Sequence, residues 1–138
     1  MKTTTANPKT QFLLGAGLDV LHFESREWLE SIAFWKDELK FFDLLIKKNE
    51  ASEKSNSDYE NMLKALGKIH IDLFEDLEDS ILDHEKLLSR IEQGEKGLSD
   101  EAYREKHRLL LLRMNTFRHD FKVFKRIVFD YAKNLLIK

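Results

Sequence analysis

The chain has 138 residues, 42% of them hydrophobic and 35% charged, with ten Phe, one Pro, five Gly and no Cys. Its length suits one domain with a real core, its aromatic content excludes a disordered chain, and the lack of Cys excludes disulfides and thiolate metal or redox chemistry. The net charge of −2 gives no global attraction to nucleic acid or to an anionic membrane.

At the N-terminus, Lys2 and Lys9 precede the apolar run Gln11-Phe-Leu-Leu-Gly-Ala-Gly-Leu18, which Asp19 ends too early for a signal peptide. No small-x-small cleavage pattern follows, and no uncharged apolar stretch is long enough to cross a bilayer. The chain therefore reads as soluble and cytoplasmic, with no membrane association. Residues 1–18 read as a mobile tail and 19–138 as a single helical-bundle domain. The segment from Phe12 to Phe23 could instead fold back as a short fourth helix.

The first helix is expected over about 19–49, on the seam Leu21, Ser25, Trp28, Ile32, Trp35, Leu39, Phe42 and Ile46. The polar stretch from Asn49 to Ser57 reads as a loop. The second helix is expected over about 58–93, on Tyr59, Leu63, Leu66, His70, Leu73, Leu77, Ser80, His84, Leu87 and Ile91, with Gly94-Glu-Lys-Gly97 as its stop. Ser99 caps a third helix over about 100–136, whose seam is Tyr103, His107, Leu110, Met114, Phe117, Phe121, Phe124, Val128, Tyr131 and Leu135. No segment alternates as a strand would. The fold class is all-α: a long antiparallel up-down-up three-helix bundle.

Charge supports this arrangement. Residues 59–98 hold ten acidic and five basic side chains, and residues 99–138 hold five acidic and ten basic. Pairing about a turn near residue 97 places Leu77 opposite Phe117, His84 opposite Leu110 and His107 opposite Leu87. It sets Asp72, Asp76, Asp79 and Asp83 along the flank of Arg118 and Lys122. The basic residues of the third helix are thus expected to face acid on the same chain, which argues against a nucleic-acid partner.

Few residues suggest chemistry. His84, His107 and Glu24 fall at one end of the expected bundle, where two imidazoles and a carboxylate form a candidate metal or small-ligand site. The Glu-x-x-His pairs of di-iron bundles and the His-Glu-x-x-His of zincins are both absent. The acidic run Glu75 to Asp79 lacks a calcium-loop pattern, and Gly15-Ala-Gly17 is preceded by no strand. There is no catalytic constellation, so the protein is not expected to be an enzyme, and no cofactor is expected.

The more informative feature is apolar surface off the seams. Phe34 and Phe41 lie seven residues apart on the flank of the first helix, widened by Leu45, and the third helix adds Leu112 and Phe129. A central core cannot bury apolar residues around most of each helix, and contiguous exposed apolar surface usually marks an interface. Phe34, Phe41, Leu45, Leu112 and Phe129 are therefore the candidate interface of a scaffold or interaction protein. The expected partner is another copy, as a dimer or tetramer, or a different protein.

Overall fold

A computed structural model describes residues 17–48 and 57–137, and these are helical except around the turn between Glu92 and Asp100. Helix α1 spans Leu18–Lys48. A second arm is continuous but changes geometry: α2 is Ser57–Ile71, a π-helical segment is Asp72–Leu77, and α3 is Glu78–Glu92. The third arm is α4, Asp100–Ile137. Among the described residues there is no strand, and no helix is long and apolar enough to cross a membrane. The tail up to residue 16, the loop over 49–56 and the side chains of Leu135 and Ile137 lie outside the described residues. Leu18 to Phe23 form the first turns of α1, so that part of the segment expected to make a separate fourth helix does not do so.

One hydrophobic core runs along all three arms. In α1 the buried residues are Leu21, Ser25, Trp28, Ile32, Trp35, Leu39, Phe42 and Ile46, the eight of the expected seam. In α4 Leu111 joins the expected residues from Tyr103 to Val128, while Tyr131 is half-buried. Trp35 packs on Phe117 at 5.0 Å, and Phe42 meets Phe121 and Phe124 edge-on at 6.3 and 6.0 Å. Such offset and edge contacts suit ring quadrupoles better than a face-to-face sandwich.

The second arm departs from its expected seam. Its buried residues are Tyr59, Met62, Leu66, Ile69, Leu73, Leu77, Ile81, His84 and Leu88. Met62 and Ile69 replace Leu63 and His70, and Ile81 and Leu88 replace Ser80 and Leu87. His70 is exposed and stacks on Phe74 with ring centres 4.3 Å apart. The cause is three successive four-residue steps, Ile69 to Leu73 to Leu77 to Ile81, which an α-helix would carry off the core-facing side. A π turn holds about one residue more than an α turn, and the segment Asp72–Leu77 takes up the excess.

Contacts between arms give the register. Tyr59 donates a buried 2.8 Å hydrogen bond to the Ile46 carbonyl, Lys36 reaches Glu78 at 2.5 Å, and His22 reaches Glu85, so numbers fall in one arm as they rise in the other. Between α1 and α4 they rise together: Glu24 with His107, Trp35 with Phe117, and Glu38 with Lys125. Against α4 the second arm is displaced by about one turn from the expected pairing, so His84 meets His107 rather than Leu110. Asp76 accordingly pairs with Arg113 at 2.8 Å. Arg118 instead bonds Asn115 and lies over Trp35, and Lys122 makes no ion pair among the described residues.

The chain reverses early, which explains that displacement. Gly94 and Gly97 have φ of 77° and 85°. Gly94 N–H donates to the Ile91 carbonyl and Glu95 N–H to that of Arg90, the paired bonds of a Schellman motif, which needs a left-handed residue at Gly94. Ser99 then caps α4 by accepting from the Ala102 N–H at 3.0 Å.

Gly67 lies exposed within α2, and an added Cβ would meet nothing within 4 Å. Gly67→Ala should stabilise the fold by about 1 kcal/mol, raising the thermal midpoint by about 3 °C in a calorimetric scan.

Candidate functional site

The start of α1, the middle of α3 and the start of α4 bring three buried polar side chains into the core. These are Ser25, His84 and His107, at 0%, 3% and 0% exposure. Glu24 precedes Ser25 and follows the buried Leu21 by one turn short of one residue, so its carboxylate reaches the edge of this layer. His107 Nε2 lies 2.8 Å from Glu24 Oε1, and His107 Nδ1 lies 3.1 Å from His84 Nε2. The three residues singled out from sequence thus meet, as a chain of hydrogen bonds and not as ligands converging on a point. Both nitrogens of His107 are engaged on opposite sides of its ring. Among the described residues no group of three or more His, Asp or Glu side chains is arranged to hold a metal ion.

The hydrogen-bond chemistry restricts the proton positions. An ionised Glu24 only accepts, so His107 donates from Nε2. With His107 neutral, its bare Nδ1 accepts from His84 Nε2–H, and the buried His84 Nδ1 has no partner. Protonating His107 reverses the second bond and moves the His84 proton to Nδ1, which still has no partner. Either way one nitrogen of His84 is unsatisfied, at a cost of about 1–3 kcal/mol.

Aromatic rings enclose the chain. Trp28 stacks on His107 with centres 4.6 Å apart, and Tyr103 stacks almost parallel on His84 at 4.1 Å. Burial, then the charges of His107 and Lys106, push the His84 imidazole down to about 3, so it is held neutral. Burial and the Glu85 carboxylate push the Tyr103 phenol upward, opposed by the neighbouring Ser25 hydroxyl. Glu85 also lies 2.5 Å from His22 Nδ1. Tyr103, Trp28 and Glu85 were not singled out from sequence. Tyr103 stands one turn before His107 and Trp28 one turn after Glu24, the spacing that places side chains on one helix face.

A second candidate lies on the outside. Phe34, Phe41 and Phe129 are 63%, 58% and 50% exposed. Phe41 and Phe129 each pack on the buried Phe42, with ring centres 5.6 Å away in both cases, so they belong to one surface along α1 and α4. Leu45 is half-buried against the core. Leu112 is exposed but lies elsewhere, lining a depression of about 290 Å³ with Asp72, Asp76, Arg113 and Asp120 between α4 and the second arm. The five expected interface residues therefore divide: three share an exposed face, one supports it from beneath, and Leu112 belongs to another groove.

Comparison of the chain with protein-family models, with curated proteins and with solved structures finds no match.

The His84 environment predicts a pH dependence. The folded state holds this imidazole far below its ordinary 6.5, so between about pH 6.5 and 3 the unfolded chain binds the extra proton. Stability should fall as pH drops through that window, by at most about 1.4 kcal/mol per unit for this one group. In urea titrations at pH 4, 5, 6 and 7, His84→Leu should show a slope flatter by about one proton than the parent chain. Equal slopes would remove His84 as the origin.

Proposed function

We propose that the chain is a non-enzymatic interaction module: an antiparallel up-down-up three-helix bundle that self-associates through the apolar flank shared by α1 and α4. The opposed numbering of contacts between the first and second arms, and the matched numbering between the first and third, support this topology. The observation that carries the function is the exposure of Phe34, Phe41 and Phe129 beside a core already complete beneath them. Three half-exposed or more exposed phenylalanines on one face leave a large apolar area in water. Removing it on association is the main favourable term in protein contacts.

The buried polar chain supports a structural role in the same reading. Its groups are enclosed by Trp28 and Tyr103, and its central ring has both nitrogens occupied within the protein.

Light scattering coupled to size exclusion should give a multiple of the 16.4 kDa chain mass for the parent protein. Phe34→Glu with Phe41→Glu should return the mass to that of one chain while far-UV circular dichroism stays unchanged, since both residues lie outside the core. A mass unaltered by the double substitution would show that this face is not the interface.

A further inference from the structure

The face that holds the phenylalanines also carries charge in a definite order. On α1, Phe23, Glu27, Glu30, Phe34, Asp37 and Phe41 follow steps of 4, 3, 4, 3 and 4, a second heptad stripe on the outside of the helix. All six are exposed, and Glu27, Glu30 and Asp37 make no ion pair among the described residues. On α4, Lys122, Arg126, Phe129 and Lys133 follow steps of 4, 3 and 4 and are exposed as well. Lys122 and Arg126 have no acidic partner among the described residues, and Lys133 only the exposed Asp130 at 3.6 Å. Three acidic side chains thus flank Phe34, and three basic ones flank Phe129.

Glu27 and Glu30 lie too far along the bundle from the basic patch to be neutralised by it within one chain. The matched numbering of α1 and α4 sets Glu24 beside His107 and Phe42 beside Phe129. Glu27 and Glu30 are therefore level with about residues 110–115 of α4, while Lys122 to Lys133 are level with about residues 36–47 of α1. The two patches lie on one face, their centres separated by roughly 15 Å along the helices at 1.5 Å per residue. Phe41 is level with Phe129, inside the basic patch.

We infer that the partner on this face is a second copy related by a two-fold axis perpendicular to the helices, each copy's Glu27–Glu30–Phe34–Asp37 patch lying on the other's Lys122–Arg126–Phe129–Lys133 patch. This rests on the self-association reading above and deepens it. Rotation about that axis exchanges the ends of the face, so acid meets base twice. A two-fold parallel to the helices sets like charge level with like charge. A head-to-tail repeat satisfies the charges only by leaving an unmatched patch at each end of an open chain of copies. The perpendicular two-fold alone closes the contact and matches every patch.

Charge exchange tests the arrangement. Glu27→Lys with Glu30→Lys, and separately Lys122→Glu with Arg126→Glu, should each weaken the parent dimer at least about tenfold in light scattering at low salt. Mixed one to one, the two variants should recover a dimer, because one presents two basic patches and the other two acidic ones. The neutral variants Glu27→Gln with Glu30→Gln, and Lys122→Gln with Arg126→Gln, should weaken association less and should not gain from mixing. Dimers that survive either reversal would overturn the inference, as would variants that dissociate but do not recombine, or parent masses growing without limit as concentration rises. A parent chain that is monomeric throughout would instead overturn the self-association reading itself. Circular dichroism of each variant checks that these exposed substitutions leave the helices intact.

Discussion

Keeping one apolar face turned inward over a long helix is the constraint on which the rest of this structure depends. α1 has 31 residues and α4 has 38, and 3.6 residues per turn does not match a repeat of three and four. Those two helices keep alternating steps of three and four along the core. The second arm cannot, because Ile69, Leu73, Leu77 and Ile81 are spaced four, four and four. Its π segment is where the mismatch is absorbed, and its position decides what lies on either side. Asp72 turns to Lys68 of its own helix and Asp76 to Arg113, while Glu78, just past the segment, meets Lys36. His84 lies two turns further on, on the buried side.

That placement accounts for the one polar layer of the core. His84 faces His107 because the chain reverses at Gly94 in a Schellman turn, and Glu24 completes the row because α1 keeps step with α4. A buried polar group that is hydrogen-bonded adds little net stability, but left unpaired it costs far more. The layer therefore discriminates between registers more than it strengthens the native one. Sliding α4 by one turn would leave His107 without both partners, whereas the phenylalanine layers above it would exchange one apolar neighbour for another. His84 Nδ1 stays unsatisfied in a ring that burial keeps neutral and that stacks on Tyr103.

How much of this was legible in the sequence depended on whether local spacing decided the outcome. All eight buried positions of α1 follow from its strict repeat, and Ser99 and the glycines at 94 and 97 marked the turn and the cap. The second arm was misread at Met62, Ile69, Ile81 and Leu88, since a periodicity that assumes α geometry throughout cannot anticipate a π turn. The clustering of Glu24, His84 and His107 was legible as an end of the core, but its linear order was not. An error of one turn in pairing separates adjacent layers from direct contact. Arg118 and Lys122 were set against the acidic flank of the second arm, whereas Arg118 lies on the side of α4 that faces Trp35 of α1, and this hid the unpaired basic stripe. Phe34, Phe41 and Phe129 could be found because each breaks its own helix's seam. Leu112 breaks the seam too, but it lines the depression beside Asp76 and Arg113, which only three-dimensional placement distinguishes.

The inner and outer stripes of α1 divide two kinds of information. The inner stripe is apolar and aromatic with one polar layer, so burial supplies the stability and a single row of hydrogen bonds supplies the register. The outer stripe uses the same repeat with phenylalanine and carboxylate interleaved. Apolar attraction has no direction and would accept many alignments of Phe23, Phe34 and Phe41. In the proposed dimer, Glu27, Glu30 and Asp37 of α1 and Lys122, Arg126 and Lys133 of α4 favour the alignment that reverses the partner. A chain whose net charge is only −2 can thus carry strong orientational preference, because what matters to a second copy is the order of the charges along the face and not their sum.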